Sequence, residues 1–167
     1  MKKGKQNKMV SKNTKKIYNA NDIAKYFIFL ASQKVIGENG EKEGITNLKL
    51  QKILYLAQAY FLAKLDRPLF KDNIEAWQYG PVIPTVYRKY KGNKSNAIID
   101  GEDLPLILEK DKKVLKEIWN AFGGYSASRL VDITHAHTPW KDAAKLSGTK
   151  LISNKALKDY YKPLLTK

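Results

Sequence analysis

Apolar residues recur at helical spacing along most of this chain, and in one stretch they are nearly continuous. Between Leu50 and Leu65, twelve of sixteen positions are apolar, the exceptions being Gln51, Lys52, Gln58 and Lys64. These four scatter around a helical wheel, which leaves no broad face for water. The segment, opened by Thr46 or Asn47, is therefore expected to be the central, nearly surrounded helix of a bundle. It is too short and too often interrupted to span a bilayer. Upstream, Asn21 or Asp22 caps a helix whose residues Ile23, Phe27, Leu30 and Ala31 fall at i, i+4, i+7 and i+8. A polar stretch from Gly37 to Gly44 ends it.

Downstream the period changes. Pro68 and the Asp72-Asn73 pair mark turns, and Leu69-Phe70 with Ile74 to Tyr79 predict a short hairpin that places Trp77 and Tyr79 on one side. Gly80-Pro81 is expected to break it, and Pro84 to open a helix carrying Val86, Tyr87 and Tyr90. After a soft segment from Gly92 to Gly101, in which Ile98-Ile99 is a candidate extended piece, a long helix begins near Glu109. Its stripe is Val114, Leu115, Ile118, Trp119 and Phe122, and Gly123-Gly124 is expected to supply a left-handed C-cap. Ser126 caps the next helix, through Leu130, Val131 and Thr134. Thr138-Pro139-Trp140 repeats the start signal of cap, first-turn proline and aromatic. Gly148 stops that helix, and Ser153 or Asn154 starts the last one through Tyr160 and Tyr161. The pattern predicts a mainly α protein: a single compact helical domain with a central buried helix and a small β-hairpin element.

Charge divides the chain. Of 167 residues, 31 are Lys or Arg and 16 are Asp or Glu, a formal charge of +15. The first sixteen residues hold seven lysines and no acid, so nearly half of the excess sits in a tenth of the length. With so little to bury, this segment is expected to be a disordered basic tail, residues 1–18, ahead of a folded domain, residues 19–167. A polyanion, nucleic acid contacted through the tail or an acidic protein, is the partner that charge suggests. The charged N-terminus lacks an apolar signal core, so a cytoplasmic location is expected and no membrane partner.

Candidate chemistry is sparse. With no cysteine, disulfides, thiolate metal sites and a cysteine nucleophile are excluded. His135 and His137 are the two histidines, and two residues apart on a helix they point about 200° apart, which disfavours a shared metal. One is expected to anchor a helix junction by bonding backbone and the other to be exposed. Ser126 or Ser128 with Asp132 and His135 would make a triad on paper, but serines before helices are caps and no nucleophile elbow is present. Glycine-rich phosphate loops are absent. No enzyme and no cofactor are expected.

More unusual is Trp77-Gln-Tyr-Gly-Pro-Val-Ile-Pro84, where two prolines and a glycine rigidify the path beside two large aromatics. These are properties of a preorganised binding edge, and equally of a demanding strand-to-helix corner. Aromatics also alternate with bases in Tyr87-Arg-Lys-Tyr-Lys91 and Lys158-Asp-Tyr-Tyr-Lys162, a pattern that suits base stacking or, on amphipathic helices, buried rings with lysines in water.

Three signatures then coincide in order: Thr46-Asn-Leu-Lys-Leu-Gln-Lys-Ile-Leu-Tyr-Leu-Ala-Gln58; Ile74-Glu-Ala-Trp-Gln-Tyr-Gly-Pro-Val82 followed by Tyr87; and Leu130-Val-Asp-Ile-Thr-His135 followed by Pro139-Trp140. Together they resemble the Panacea domain, the SocA-like antitoxin family also described as phage-associated GepA-like proteins, over residues 20–146. Ile133 stands where leucine is frequent in the family. The resemblance implies a cytosolic bacterial or prophage antitoxin that neutralises a toxin encoded by an adjacent gene, by direct protein–protein binding. The alternatives are a nucleic-acid-binding regulatory module, or a protease adaptor delivering a toxin for degradation. The family supplies no catalytic residues. Motif positions enter only as partner-binding candidates: Trp77, Tyr79, Gly80, Pro81, Val82, Tyr87, His135 and Trp140.

Overall fold

The computed structural model describes residues 15–99 and 103–165. Helix α1 (Ala20–Ser32) leads to a two-stranded ribbon, β1 (Val35–Ile36) with β2 (Glu41–Lys42), and then to α2 (Asn47–Leu65). Strands β3 (Ile74–Trp77) and β4 (Gly80–Val82) form a hairpin followed by α3 (Pro84–Tyr90) and a 3-10 turn at Lys91–Asn93. Helices α4 (Glu109–Phe122), α5 (Ala127–His135) and α6 (Thr138–Ala144), strand β5 (Leu151–Ile152) and α7 (Asn154–Leu165) complete the chain. The fold is mainly α, as expected.

Helix α2 occupies the centre because its sequence leaves it no alternative. It packs against α1, α3, α4, α5, α7 and β4, and from Leu50 to Ala59 every residue is buried. Each large apolar side chain so enclosed contributes roughly 1.5–3 kcal/mol relative to exposure. Thr46 is its N-cap, accepting from the Lys49 amide at 3.3 Å. Of the four polar residues in the run only Lys64 reaches water; Gln51, Lys52 and Gln58 are buried. Gln51 and Gln58, seven apart, share one stripe rather than scattering.

That stripe organises the chain around it. Gln58 Oε1 accepts from the Leu69 and Phe70 amides at 2.8 and 3.1 Å, while its Nε2 donates to the Phe70 carbonyl at 2.9 Å. Gln51 Oε1 accepts from the Ile83 amide at 2.9 Å, and its Nε2 donates to Asn47 Oδ1 at 2.8 Å. Asn47 in turn donates to the Tyr87 carbonyl at 3.2 Å. The irregular segments between α2 and α3 thus draw their hydrogen bonds from α2 side chains.

Several expectations shift. The hairpin pairs β3 with β4 in the register Glu75↔Val82, Ala76↔Pro81 and Trp77↔Gly80, so Gly80-Pro81 is the returning strand rather than a break, and Tyr79 lies in the turn. Pro81 is tolerated because β4 is an edge: the sheet order is β4-β3-β5, with β5 antiparallel to β3. Leu69-Phe70 instead meets Tyr18, whose amide donates to the Leu69 carbonyl at 2.8 Å and whose carbonyl accepts from the Lys71 amide at 3.2 Å. Ile98 pairs with Ile45. Gly123 is right-handed, φ −62°, so the expected left-handed cap is absent there. The glycine is needed for space instead, since a Cβ would lie 2.7 Å from the Trp119 ring. Asn19, not Asn21 or Asp22, precedes α1, and Asp72 Oδ1 accepts from the Ala20 amide at 2.7 Å in place of a local cap. His137, not Thr138, is the N-cap residue of α6.

Of the expected tail, residues 1–14 lie outside the described residues. Tyr18 belongs to the folded body: it is buried, and its hydroxyl donates to Asp111 Oδ2 at 2.7 Å and accepts from the Leu108 amide at 3.1 Å. Asp111 also pairs with Arg67 in a buried salt bridge.

Candidate functional site

The β3–β4 hairpin is held from below by α2 and from the side by α5 and α6. Gly80 adopts φ +103°, and a Cβ there would lie 2.7 Å from Lys52 Cε and 3.1 Å from Thr134 Oγ1. Glycine is required twice over, by conformation and by the close approach of the Lys52 side chain. Lys52 Nζ donates to the Pro81 carbonyl at 3.0 Å, with no carboxylate among the described residues acting on it. Burial therefore pushes its pKa down from 10.5 to about 7. On the other flank, the Trp140 indole donates to the Trp77 carbonyl at 3.0 Å. The His135 ring stacks on Trp140 with centroids 4.0 Å apart, and His135 hydrogen-bonds the backbone of Gln78.

Between α2, the hairpin and α3 this arrangement leaves a groove of about 440 Å³. Trp77 and Tyr87 form one wall, edge to face at 5.0 Å, and the Trp77 indole is fixed by donating to Glu75 Oε2 at 2.7 Å. Tyr79, 64% exposed, stands at the turn, and Leu48, 40% exposed, projects from the first turn of α2. Val82 lines the interior and Lys91 and Lys94 also line the groove.

The structure brings all eight candidates into one neighbourhood but gives them different surroundings. Trp77, Tyr79, Val82 and Tyr87 line the groove. Gly80 and Pro81 are buried in the strand behind it. His135 and Trp140 brace the hairpin from α5 and α6 and are not among the groove's lining residues. Asn47, Leu48, Gln51, Lys52, Lys91 and Lys94 also line it and were not anticipated. The available signal was a lysine and two amides inside an otherwise apolar helix.

His135 fits the expected anchor at a helix junction, but the second histidine is not exposed. His137 is half-buried, its Nδ1 paired with the Tyr161 hydroxyl and its ring against Tyr160. Burial lowers the pKa of both histidines, with Lys52 adding to the effect at His135 and Lys141 at His137. The aromatic–basic stripes turn their rings inward: Tyr90 and Tyr161 are buried, while Arg88, Lys89 and Lys91 are exposed. Among the described residues no group of three or more His, Asp or Glu side chains could hold a metal ion, and no helix is long and apolar enough to cross a membrane.

The central helix and the aromatic hairpin it fastens lie largely within a segment that matches a known domain. Residues 50–141 match the model of the antitoxin SocA-like, Panacea domain, and the chain belongs to that family. It is similar to the antitoxin SocA of Caulobacter vibrioides (strain NA1000 / CB15N), 35% identical over 136 residues that cover 71% of this chain and 72% of that protein. No solved structure matches it.

Proposed function

We propose that this protein is the antitoxin of a toxin–antitoxin system, acting in the cytoplasm to neutralise a toxin encoded by an adjacent gene through direct protein–protein binding. Family membership and the SocA relative support the antitoxin role. The observation that carries the binding mode is the preorganised hairpin groove. Tyr79 is displayed on a turn whose backbone is fastened by Lys52, Gln51 and Trp140. Large aromatics already held in place lose little entropy on contact, which is why such residues concentrate binding energy.

Co-expression with the product of the adjacent gene tests this. The wild-type chain should restore growth and co-purify with the toxin, also in a host lacking its ATP-dependent proteases, as occlusion rather than degradation requires. Tyr79→Ala changes an exposed side chain and should leave folding intact while weakening the complex by about 2 kcal/mol or more. A toxin that stays lethal beside the wild-type chain sinks the antitoxin role. Full neutralisation by Tyr79→Ala moves the contact surface away from the hairpin.

A further inference from the structure

The groove has a charge pattern that direct binding alone does not explain. Lys52, Lys91 and Lys94 line it, and among the described residues no aspartate or glutamate does. Its walls are rings and its lips, Leu48 and Tyr79, are partly apolar. The strand edge beside it is closed to pairing, because Pro81 lacks an amide hydrogen, its carbonyl accepts from Lys52, and the Ile83 amide is taken by Gln51. An occupant must therefore enter with side chains and not as an added strand. A wholly apolar one would desolvate the Lys91 and Lys94 ammonium groups with nothing to balance them. Carboxylates reaching those lysines would remove that cost, and an apolar side chain between them would meet Trp77 and Tyr87.

We infer that the groove receives an acidic segment of the partner protein, in which carboxylate side chains flank an apolar anchor. The inference rests on the antitoxin reading only for naming that partner as the toxin; the charge pattern stands without it. A cavity of about 440 Å³ suits a few side chains of such a segment. Lys52 deepens the preference from beneath, since a carboxylate seated over the floor favours its charged form, which burial otherwise disfavours.

The probes are two acetylated and amidated hexapeptides, one alternating glutamate with leucine and the other glutamine with leucine, titrated into the nitrogen-15-labelled full chain. The readout is the Trp77 indole N–H resonance, assigned with Trp77→Phe. The glutamate peptide should shift it saturably and bind about tenfold or more tighter than the glutamine peptide, an advantage that disappears in Lys91→Glu/Lys94→Glu. Both lysines are exposed, so that variant keeps the fold. Equal affinity of the two peptides, no shift at millimolar peptide, or a tighter shift by single-stranded oligothymidylate overturns the inference, the last in favour of nucleic acid. In the growth assay, loss of rescue in the double variant supports it. Rescue retained by that variant overturns it and leaves the antitoxin role standing, whereas failure of the wild-type chain to rescue removes that role and leaves the groove to be judged by the peptides.

Discussion

Lys52 sits in a fully buried position with one hydrogen bond, to the Pro81 carbonyl, and with burial as the sole cause of its lowered pKa. This has a consequence for stability. In the unfolded chain the side chain keeps its proton up to about pH 10.5; in the folded chain it releases it near 7. Between those values the unfolded state binds more protons, so stability rises with pH, by at most about 1.4 kcal/mol per pH unit for one proton. His135 and His137, with depressed pKa values, add a rise of the same sign, but below the ordinary histidine value of 6.5. Tyr18, Tyr55 and Tyr161, whose pKa values burial raises above 10.0, give the opposite trend only above that value. Urea midpoints at about pH 7.5 and 9.5 therefore exclude the histidines and tyrosines and leave the buried lysines: Lys52, and half-buried Lys49, whose pKa burial also lowers from 10.5. The wild-type midpoint should climb, and Lys52→Met, which keeps the stem and removes the ammonium, should climb less, the remainder belonging to Lys49; equal slopes in both would assign the effect away from Lys52.

At the scale of elements, α2 acts as a core helix and as a rack of hydrogen bonds for its neighbours. Gln58→Leu preserves volume approximately but strands the Leu69 and Phe70 amides and the Phe70 carbonyl, and is expected to cost about 2–4 kcal/mol in urea unfolding. Gln58→Glu keeps the one oxygen that accepts from both amides, loses the amide donor to the Phe70 carbonyl, and at a pH low enough to hold it protonated should cost less. The identity of α2 was legible in the sequence because a twelve-in-sixteen apolar run leaves few alternatives, and Ser126 and Thr46 marked their helices because caps act locally. What pairs with what was not legible. Strand β5 is two residues long, too short for any period, and exists because Ile74 and Glu75 recruit it from across the chain. The hairpin partner was missed for a related reason: Gly80-Pro81 looks like a breaker until the strand is known to be an edge. The groove was half legible. Its aromatics share a motif, but Leu48, Lys91 and Lys94 reach it only through packing of α2 and α3.

For the whole molecule, the charge of +15 separates into parts with different roles. Residues 1–14 contribute five of the lysines, and their removal leaves +10 on the rest. The next few residues are structural. Tyr18 closes a buried cluster in which Asp111 accepts from both its hydroxyl and Arg67, and Arg67 also donates to the Lys16 carbonyl at 2.7 Å, tying the start of the fold to α4. Lys16 and Tyr18 therefore belong with the folded body. Deleting 1–14 should leave the melting temperature nearly unchanged while making any nucleic-acid affinity less salt-dependent, by about 0.9 in log–log slope for each phosphate that the lysines cease to neutralise. Deleting 1–18 removes a buried aromatic and leaves Asp111 and Arg67 with fewer partners. That should cost about 3–5 kcal/mol, or roughly 10 °C for a chain of this size. Comparable melting of the two truncations would show that the Tyr18 cluster contributes little, and an unchanged salt slope after the shorter deletion would place the polyanion-binding charge on the folded domain.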